Sequence, residues 1–278
     1  MKRLALAFAV SLIAGTAPAQ DKPLVVGFDG TFAPHAMPKA GGGIEGFNVD
    51  MILEAGRRMG RKVEIFSGEF SGLIPAMQAG KLSFVGAPTT VTPERAKTLL
   101  FTEGYLNTYY AFVLPAGKPD FASLEALKGK TVASNKGSAY DKWLQDNAAK
   151  YGWKAESYGT NADAMQAVAS GRADAGLTGN TVGAYAVLRA NKTLALSRLK
   201  VDQGLVWGAA FKKEDGALRN AVEEALECMK LDGTMAKLHE KWFGVKPEAG
   251  SAAVTVYPGF GVPGLDGHDP SVHTPKCK

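Results

Sequence analysis

The chain has 278 residues, of which 46% are hydrophobic, enough for one or two globular domains with buried cores. This composition excludes a chain that is disordered throughout. Lysine and arginine exceed aspartate and glutamate by five, an excess too small to predict nucleic-acid binding. No apolar run approaches the roughly 20 residues that a membrane-spanning helix needs.

The N-terminus has the pattern of a secretory signal. Lys2 and Arg3 precede an apolar run, and residues 17–19 read Ala-Pro-Ala, which satisfies the small-x-small rule for cleavage. We therefore predict that residues 1–19 are removed on export. Loss of the two basic residues lowers the formal charge from +5 to +3, and no cysteine follows the cleavage site for lipid attachment.

Short apolar runs alternate with amphipathic stretches from Pro23 onward, which is typical of strand and helix units around mostly parallel sheets. The first series is predicted as strands at 24–28, 62–66 and 82–87, with helices at 47–60 and 71–80. Ser71 is the expected cap of the second helix and Gly80 its stop.

A second series begins near residue 122. A helix ends at Gly129, a strand follows, and "NKGS" at 135–138 opens the next helix. Residues 162–178 then repeat the helix, turn and strand order of 71–87. The chain therefore consists of two lobes of related construction.

Two extended runs, at 109–120 and 204–216, connect the lobes, and a helix is predicted from 217 to about 230. They predict a chain that crosses to a second lobe and returns, as in a hinged α/β protein with a ligand cleft between its lobes. The predicted boundaries are 20–110 with 208–246 for lobe one, 111–207 for lobe two and 247–278 for a C-terminal tail.

Several segments together resemble the periplasmic solute-binding proteins of amino-acid ABC transporters, family 3 type. The resemblance covers roughly residues 23–245, in order and at family spacing. Its segments are "LVVGFDGTFAPH", "GFNVDMILEAGRRMG", "EFSGLIPAMQAGKLSFVGAPTTVTPERAK", "LKGKTVASNKGS", "ASGRADAGLTGN" and "GLVWGAAFKKEDGALRNAVEEAL".

This resemblance implies a type II periplasmic-binding-protein fold with two hinge strands. It also implies a monomer without cofactor or metal that closes on a small carboxylate ligand in the periplasm. Such a protein delivers its ligand, an amino acid or a related carboxylate, to an inner-membrane ABC permease.

Arg95, in "TPER", matches the family arginine that grips the ligand carboxylate, a task that suits the planar fork of a guanidinium. The alternative is a surface arginine paired with Glu94 or Glu103. Thr90 matches a hydroxyl that binds the same ligand end, and loop capping is its alternative. Pro88 departs from the family, because it has no N–H to donate.

Gly137 and Ser138 begin a lobe-two helix, so their N–H groups are expected to face an anion across the cleft. An N-cap role for Ser138 is equally compatible with the sequence. Asn135, just before them, is placed in the same site.

Three aromatic residues and one acid complete the lobe-one wall by resemblance. Phe32 resembles the aromatic that stacks on the ligand, and Phe70 resembles a second cleft aromatic; core packing is the alternative for each phenylalanine. Trp207 lies where the returning connector meets the cleft and is expected to close one wall. Asp29 matches an acid of this wall, or is a simple turn residue.

The departure from the family is at Gly179, followed by Asn180. Amino-acid binders place there a carboxylate that receives the α-ammonium of the ligand. Either another acid, Asp29 or Glu69, substitutes for it, or the ligand has no free α-ammonium. His35 also departs and is interpreted as a surface residue or as a contact of the ligand side chain.

The tail is rich in glycine and proline and cannot form a core of its own, so it is either mobile or laid over the lobe it leaves. Residues 253–257 are a candidate edge strand. In an oxidising compartment Cys228 and Cys277 favour a disulfide over free thiols. Three tail side chains offer a metal site as an alternative to a solvated tail: His268, Asp269 and His273.

No catalytic set is recognisable, because no Cys/His or Ser/His spacing recurs and no phosphate loop opens a helix. The protein is therefore predicted not to be an enzyme. Two alternatives stay open. One is a cyclohexadienyl-dehydratase-like lyase of the same fold with Glu69 as its acid or base. The other is an accessory binding protein of a periplasmic dehydrogenase, docked through the tail.

Overall fold

The computed structural model describes residues 22–277. The predicted signal, 1–19, lies outside the described residues. Among those residues no helix combines the length and the apolar character that a bilayer crossing requires.

Lobe one contains the first nine elements and the last two. They are β1 (Leu24–Phe28), β2 (Met37–Pro38), β3 (Ile44–Glu45), α1 (Phe47–Arg58), β4 (Val63–Ser67), α2 (Phe70–Gln78), β5 (Phe84–Thr90), α3 (Pro93–Ala96), β6 (Leu99–Phe101), α7 (Gly216–Leu231) and α8 (Thr234–Phe243). Strands β4, β1 and β5 are parallel neighbours in that order. All seven residues of β5 are buried, so the strand that leads to the predicted site is rigidly held.

Lobe two repeats this plan. It contains a short 3₁₀ helix (Leu124–Leu127), β8 (Thr131–Asn135), α4 (Ala139–Tyr151), β9 (Lys154–Tyr158), α5 (Asn161–Ala169), β10 (Ala175–Gly179) and α6 (Asn180–Arg189). Strands β9, β8 and β10 are parallel neighbours. The parallel strands of each lobe end at the same edge, and their loops face the other lobe.

Two long strands, β7 (Leu106–Pro115) and β11 (Leu194–Lys212), join the lobes. They pair antiparallel from Trp207 opposite Leu106 to Leu194 opposite Pro115. In lobe one β11 pairs with β5 and β6, and in lobe two β7 pairs with β10. These strands overlap the two predicted extended runs, 109–120 and 204–216, without reaching their ends, and they form the predicted hinge.

Local capping differs from the prediction for α2. The N-cap residue is Glu69, without a side-chain cap bond, and Ser71 lies inside the first turn. Gly80 follows the helix with φ of 73°, a left-handed conformation that glycine adopts without strain. The N-cap of α2 was predicted two residues late because the Ser71 hydroxyl was assigned a capping role that it does not have.

The tail is laid over lobe one. Val262 and Leu265 pack against a buried cluster of that lobe, and residues 260 and 269 form an isolated β-bridge. The disulfide between Cys228 and Cys277 is confirmed, with Cα atoms 5.3 Å apart. It fastens the end of the tail to α7.

The edge strand predicted at 253–257 is absent from the described structure. Its backbone N–H groups form a local turn and one side-chain contact instead: Val254 and Thr255 donate to Ser251 O at 3.0 and 3.1 Å, and Tyr257 donates to Glu103 at 2.8 Å. Just before this segment, the Ala252 N–H donates to Asn107 at 2.8 Å. The alternating sequence therefore covers the start of β7 without joining the sheet.

Two of the tail residues suggested as metal ligands bond to other protein groups. Nε2 of His273 lies 2.7 Å from Glu227, and Nε2 of His268 lies 3.2 Å from the carbonyl of Pro258. His273 also stacks on Phe260, with ring centroids 3.8 Å apart. The Nε2 atoms of both histidines are therefore used in contacts that hold the tail in place, which does not favour the metal site.

A buried charge cluster ties the tail to α7. The Lys230 ammonium donates to Glu103, to Gly104 O at 2.7 Å and to Thr255 O at 2.8 Å. Glu103 and Lys230 have fully buried side chains, so Glu103 is not the partner of Arg95 that the surface interpretation required. Burial raises the pKa of the neighbouring Glu223 to about 8.

Candidate functional site

Arg95 projects into the cleft from the turn that follows β5. Thr92 caps α3, its hydroxyl accepting from the Arg95 N–H at 3.2 Å. The guanidinium then donates to Thr90 O at 3.0 Å in its own lobe and to Gly137 O at 3.0 Å in the other. It also lies 5.7 Å from the ring centroid of Phe70. Arg95 is thus held by both lobes.

The Arg95 cation has no carboxylate partner within residues 22–277. Burial lowers the pKa of Arg95, and the ionised forms of Tyr140, Tyr110 and Glu94 act against it at a distance. A desolvated guanidinium that donates only to carbonyl oxygens favours an external anion, because charge-assisted bonds are the stronger ones. The positive charge of Arg95 is therefore available to an external anion.

The start of α4 forms the opposing wall. Ser138 caps the helix, accepting from Asp141 N–H at 3.0 Å, and it also lines the cavity. The Gly137 N–H donates to the Asp141 carboxylate at 3.0 Å. In this closed arrangement the Gly137 N–H is therefore occupied by the Asp141 carboxylate and not by a ligand anion. Gly137 faces Arg95 only through its carbonyl oxygen.

Asp29 and Asn135 meet across the lobes. The Asn135 amide donates to one Asp29 oxygen at 3.0 Å, and Thr31 donates to the other through its N–H and its hydroxyl at 3.0 and 2.7 Å. The Asn135 Oδ1 atom is buried and accepts no hydrogen bond from the described residues. An orphaned acceptor of this kind is costly unless a donor reaches it.

The cavity between the lobes brings seven of the eleven predicted ligand-binding residues together. The predicted residues that line it are Asp29, Phe32, Phe70, Thr90, Arg95, Asn135 and Ser138. It is also lined by residues that the prediction did not include among the ligand contacts: Ala87, Pro88, Ala139 and Tyr140. Tyr140 follows Ser138 by two positions, so the first turn of the helix was a signal that could have found it.

Trp207 lies behind this cavity, where it supports one wall. Its side chain is fully buried and its indole N–H donates to the Thr90 hydroxyl at 3.1 Å. The ring also packs edge-on against Phe32, with centroids 6.2 Å apart. Trp207 therefore positions Thr90 rather than lining the cavity.

The Trp207 indole also explains why residue 179 is a glycine and not an acid. A Cβ at this position would lie 2.4 Å from Cζ2 of Trp207 and 3.3 Å from the Tyr140 hydroxyl, closer than real side chains approach. The space that a longer side chain would enter is filled by Trp207. An acid at the end of β10 is therefore sterically incompatible with this indole.

Asn180 lies apart from the cavity. Its Oδ1 is 3.4 Å from the Thr108 hydroxyl, and its side chain lines a separate groove between α6 and α8. Glu69 is exposed, and its carboxylate lies against Gly159 of the other lobe. Asp29 is therefore the carboxylate among the residues lining the cavity.

His35 is neither a surface residue nor a cavity residue, so both interpretations of it were wrong. It is fully buried. One ring nitrogen lies 2.9 Å from Asn48 Oδ1, and the other lies 2.8 Å from the Thr181 hydroxyl of lobe two. Sequence reasoning missed this contact because it joins residues 146 positions apart.

Comparison with known proteins places this geometry in a family. The bacterial extracellular solute-binding proteins, family 3, match residues 24–245. The ABC transporter arginine-binding protein 1 of Escherichia coli K12 is 29% identical over 247 residues, which are 87% of this chain and 99% of that protein.

Two solved structures share the fold. An ancestral arginine-binding protein bound to arginine superposes with a TM-score of 0.76 and 35% identity, covering 81% of this chain and all of that one. The ancestral amino acid-binding protein AncCDT-1, a precursor of cyclohexadienyl dehydratase, has a TM-score of 0.72 and 32% identity over 80% of this chain and 95% of its own. The predicted two-lobed α/β fold is confirmed, and the chain belongs to the bacterial extracellular solute-binding proteins, family 3.

Proposed function

We propose that this protein is the periplasmic substrate-binding component of an ABC importer for an amino acid or a related small carboxylate. Family membership supports an exported solute-binding protein, and a similar protein is an arginine-binding component of an ABC transporter. Closure of the two lobes around the ligand is the conformational signal that a permease reads.

The observation that carries this proposal is the Arg95 guanidinium, which has no carboxylate partner among residues 22–277. It lies between the lobes, bonded to Thr90 O and Gly137 O, so an anion that binds it contacts both lobes at once. A ligand carboxylate in this position stabilises the closed arrangement, because it supplies the charge that the carbonyl oxygens lack.

The other end of the ligand is a hydrogen-bond donor. Asp29 and Asn135 supply acceptors in the same cavity, and Asn135 Oδ1 is unused by the described residues. The end of β10 supplies no acid, since Trp207 fills the space beside Gly179. An ammonium, amide or hydroxyl of the ligand is therefore received by Asp29 and Asn135.

A lyase is the less supported alternative. Its suggested acid or base, Glu69, is exposed and outside the cavity. Asp29, the carboxylate that does line the cavity, already accepts three hydrogen bonds from Thr31 and Asn135, which occupy it as a binding group. The docking-arm hypothesis for the tail is also less supported, because the tail bonds repeatedly to lobe one.

A thermal-shift screen tests the proposal with amino acids, N-substituted amino acids, opines and plain carboxylates. We expect one chemical class to stabilise the protein by about 4 kcal/mol at a thousandfold excess over its Kd. The ligand should be recovered unchanged by mass spectrometry, whereas an enzyme would consume it.

Arg95→Ala is expected to weaken binding of the best compound by at least about tenfold, since a hydrogen bond to a charged group contributes about 1.5–3 kcal/mol. Arg57→Ala is the matched control, because Arg57 is an exposed arginine of the same lobe. Wild-type affinity in Arg95→Ala would overturn the carboxylate assignment.

A further inference from the structure

His35 has a defined tautomer. The Asn48 amide uses both of its N–H groups, donating to Gly86 O at 2.9 Å and to the Tyr105 hydroxyl at 2.7 Å. Its Oδ1 must therefore accept from His35, whose Nδ1 lies 2.9 Å away. Nε2 is consequently the unprotonated nitrogen and accepts from the Thr181 hydroxyl at 2.8 Å.

This hydrogen bond crosses between the lobes. His35 belongs to the loop after β1 in lobe one, and Thr181 lies in the first turn of α6 in lobe two. Neither residue lines the ligand cavity. The contact thus reports and stabilises closure without touching the proposed ligand, and opening the lobes breaks it.

We propose that His35 and Thr181 form a latch that holds the lobes closed while His35 is neutral and that protonation of His35 releases it. His35 acts as a positioning residue, because it influences binding only through lobe closure. Acidification is then expected to open the site.

The surroundings of His35 oppose a positive charge. The groups that face it are Asn48 and Phe47 of α1, Trp207 of β11, His239 and Phe243 of α8, and Thr181 of α6. No carboxylate is among these groups, and the electrostatic effect of His239 on the His35 pKa has the same direction as that of burial and is the smallest of the causes. Burial lowers the pKa of His35 to about 3, although the Asn48 bond acts in the opposite direction.

The pKa of His35 differs between the closed and the open arrangement, and this difference determines the direction of the pH effect. When the lobes open, Nε2 meets water and the pKa of His35 returns toward its ordinary value of 6.5. Below that pH the open form binds a proton that closure must expel, so closure weakens. Closure is unaffected above pH 6.5, and between pH 7.5 and 5.0 it is expected to weaken by up to about 30-fold.

Small-angle X-ray scattering of the ligand-free protein at pH 7.5 and 5.0 tests the latch. We expect the wild-type radius of gyration to increase at pH 5.0 and that of His35→Gln, which cannot titrate, to stay constant. His239→Gln is the matched control and should expand like the wild type. Circular dichroism at both pH values checks that each protein is folded.

Calorimetric titration with L-arginine as the probe gives a second readout. We expect the wild-type Kd to rise by up to about 30-fold between pH 7.5 and 5.0 and the Kd of His35→Gln to change much less. Thr181→Val, which removes only the hydroxyl, is expected to raise Kd at both pH values and to expand the ligand-free protein at pH 7.5.

Equal expansion of wild type and His35→Gln, or no expansion of the wild type, overturns the proposal. If His35→Gln does not fold, Thr181→Val decides, and a wild-type radius at pH 7.5 would count against the latch. Scattering needs no ligand, so it decides the latch even if L-arginine does not bind; that failure would exclude L-arginine as the ligand, and the compound screen would still decide the proposed function.

Discussion

Gly179 lies at the end of β10, where the structure has no room for a methyl group. An added Cβ would lie 2.4 Å from Cζ2 and 2.8 Å from Cη2 of Trp207. Displacing the indole is energetically unfavourable, because it is fully buried and its N–H donates a hydrogen bond to the Thr90 hydroxyl. Gly179→Ala must therefore displace the ring or the strand.

The expected cost is at the upper end of the range for overpacking a buried site, about 2–3 kcal/mol. For a chain of this size each kcal/mol lowers Tm by roughly 2–4 °C, so Tm should fall by about 4–12 °C. Thermal unfolding followed by circular dichroism at pH 7.5 measures this change.

Gly183→Ala is the matched control. Gly183 lies inside α6, where the nearest atoms to an added Cβ are 3.3 Å away, and helix propensity favours alanine by about 1 kcal/mol. We expect its Tm to stay close to that of the wild type. The steric explanation is refuted if Gly179→Ala also unfolds within about 1 °C of the wild type.

A second substitution distinguishes a local clash from a general loss of packing. Trp207→Phe removes the six-membered part of the indole that approaches residue 179. Combined with Gly179→Ala, it should show a favourable coupling of roughly 0.5–3 kcal/mol in a double-mutant cycle, because the two changes compensate in volume. Strict additivity of the two effects would contradict direct contact.

Three further predictions concern α7 and the tail. Cys277→Ser should lower the free energy of unfolding in denaturant by about 4 kcal/mol, because the bond to Cys228 closes a loop with a sequence separation of 49; an unchanged midpoint would contradict this. Lys230→Met should cost about 3–5 kcal/mol by the same measurement, since it leaves buried Glu103 without its cation, and a stability equal to the wild type would argue against an ionised pair. The raised pKa of Glu223, about 8, means that the folded state retains a proton that the unfolded state loses above about pH 4.5. Stability should therefore fall as pH rises from 5 to 8, and Glu223→Gln should reduce that fall in urea titrations; identical pH slopes would refute the assignment.

Much of the fold was predictable from local patterns. Apolar alternation and glycine stops located β1, β4, β5, α1 and α2 in lobe one and β8, α4, α5 and β10 in lobe two, because these signals act over a few residues. They did not locate β9, α6 or α8. The pairing of Cys228 with Cys277 was also predictable, since the chain has two cysteines and a predicted export signal. The edge strand at 253–257 was not, because its backbone bonds depend on Glu103 and on the distant start of β7.

In the candidate site, too, some residues were predictable from the sequence and others were not. Thr90 ends the buried strand β5 and Arg95 follows it, so their place at its carboxyl end was already determined by the sequence. Trp207 and Asn180 were assigned to the cavity by their position in the chain, yet one lies behind it and the other beside it. Which side of a wall a residue occupies depends on side-chain packing between elements, which local patterns do not encode.

By itself, then, the sequence determined a two-lobed α/β protein with an arginine at the carboxyl end of a central strand, and it predicted export. The tertiary structure decided why Gly179 cannot be an acid, which acceptors face Arg95 across the cleft, and that His35 joins the lobes. Each of these is a contact between residues far apart in the chain, where steric exclusion and burial, rather than periodicity, determine the chemistry.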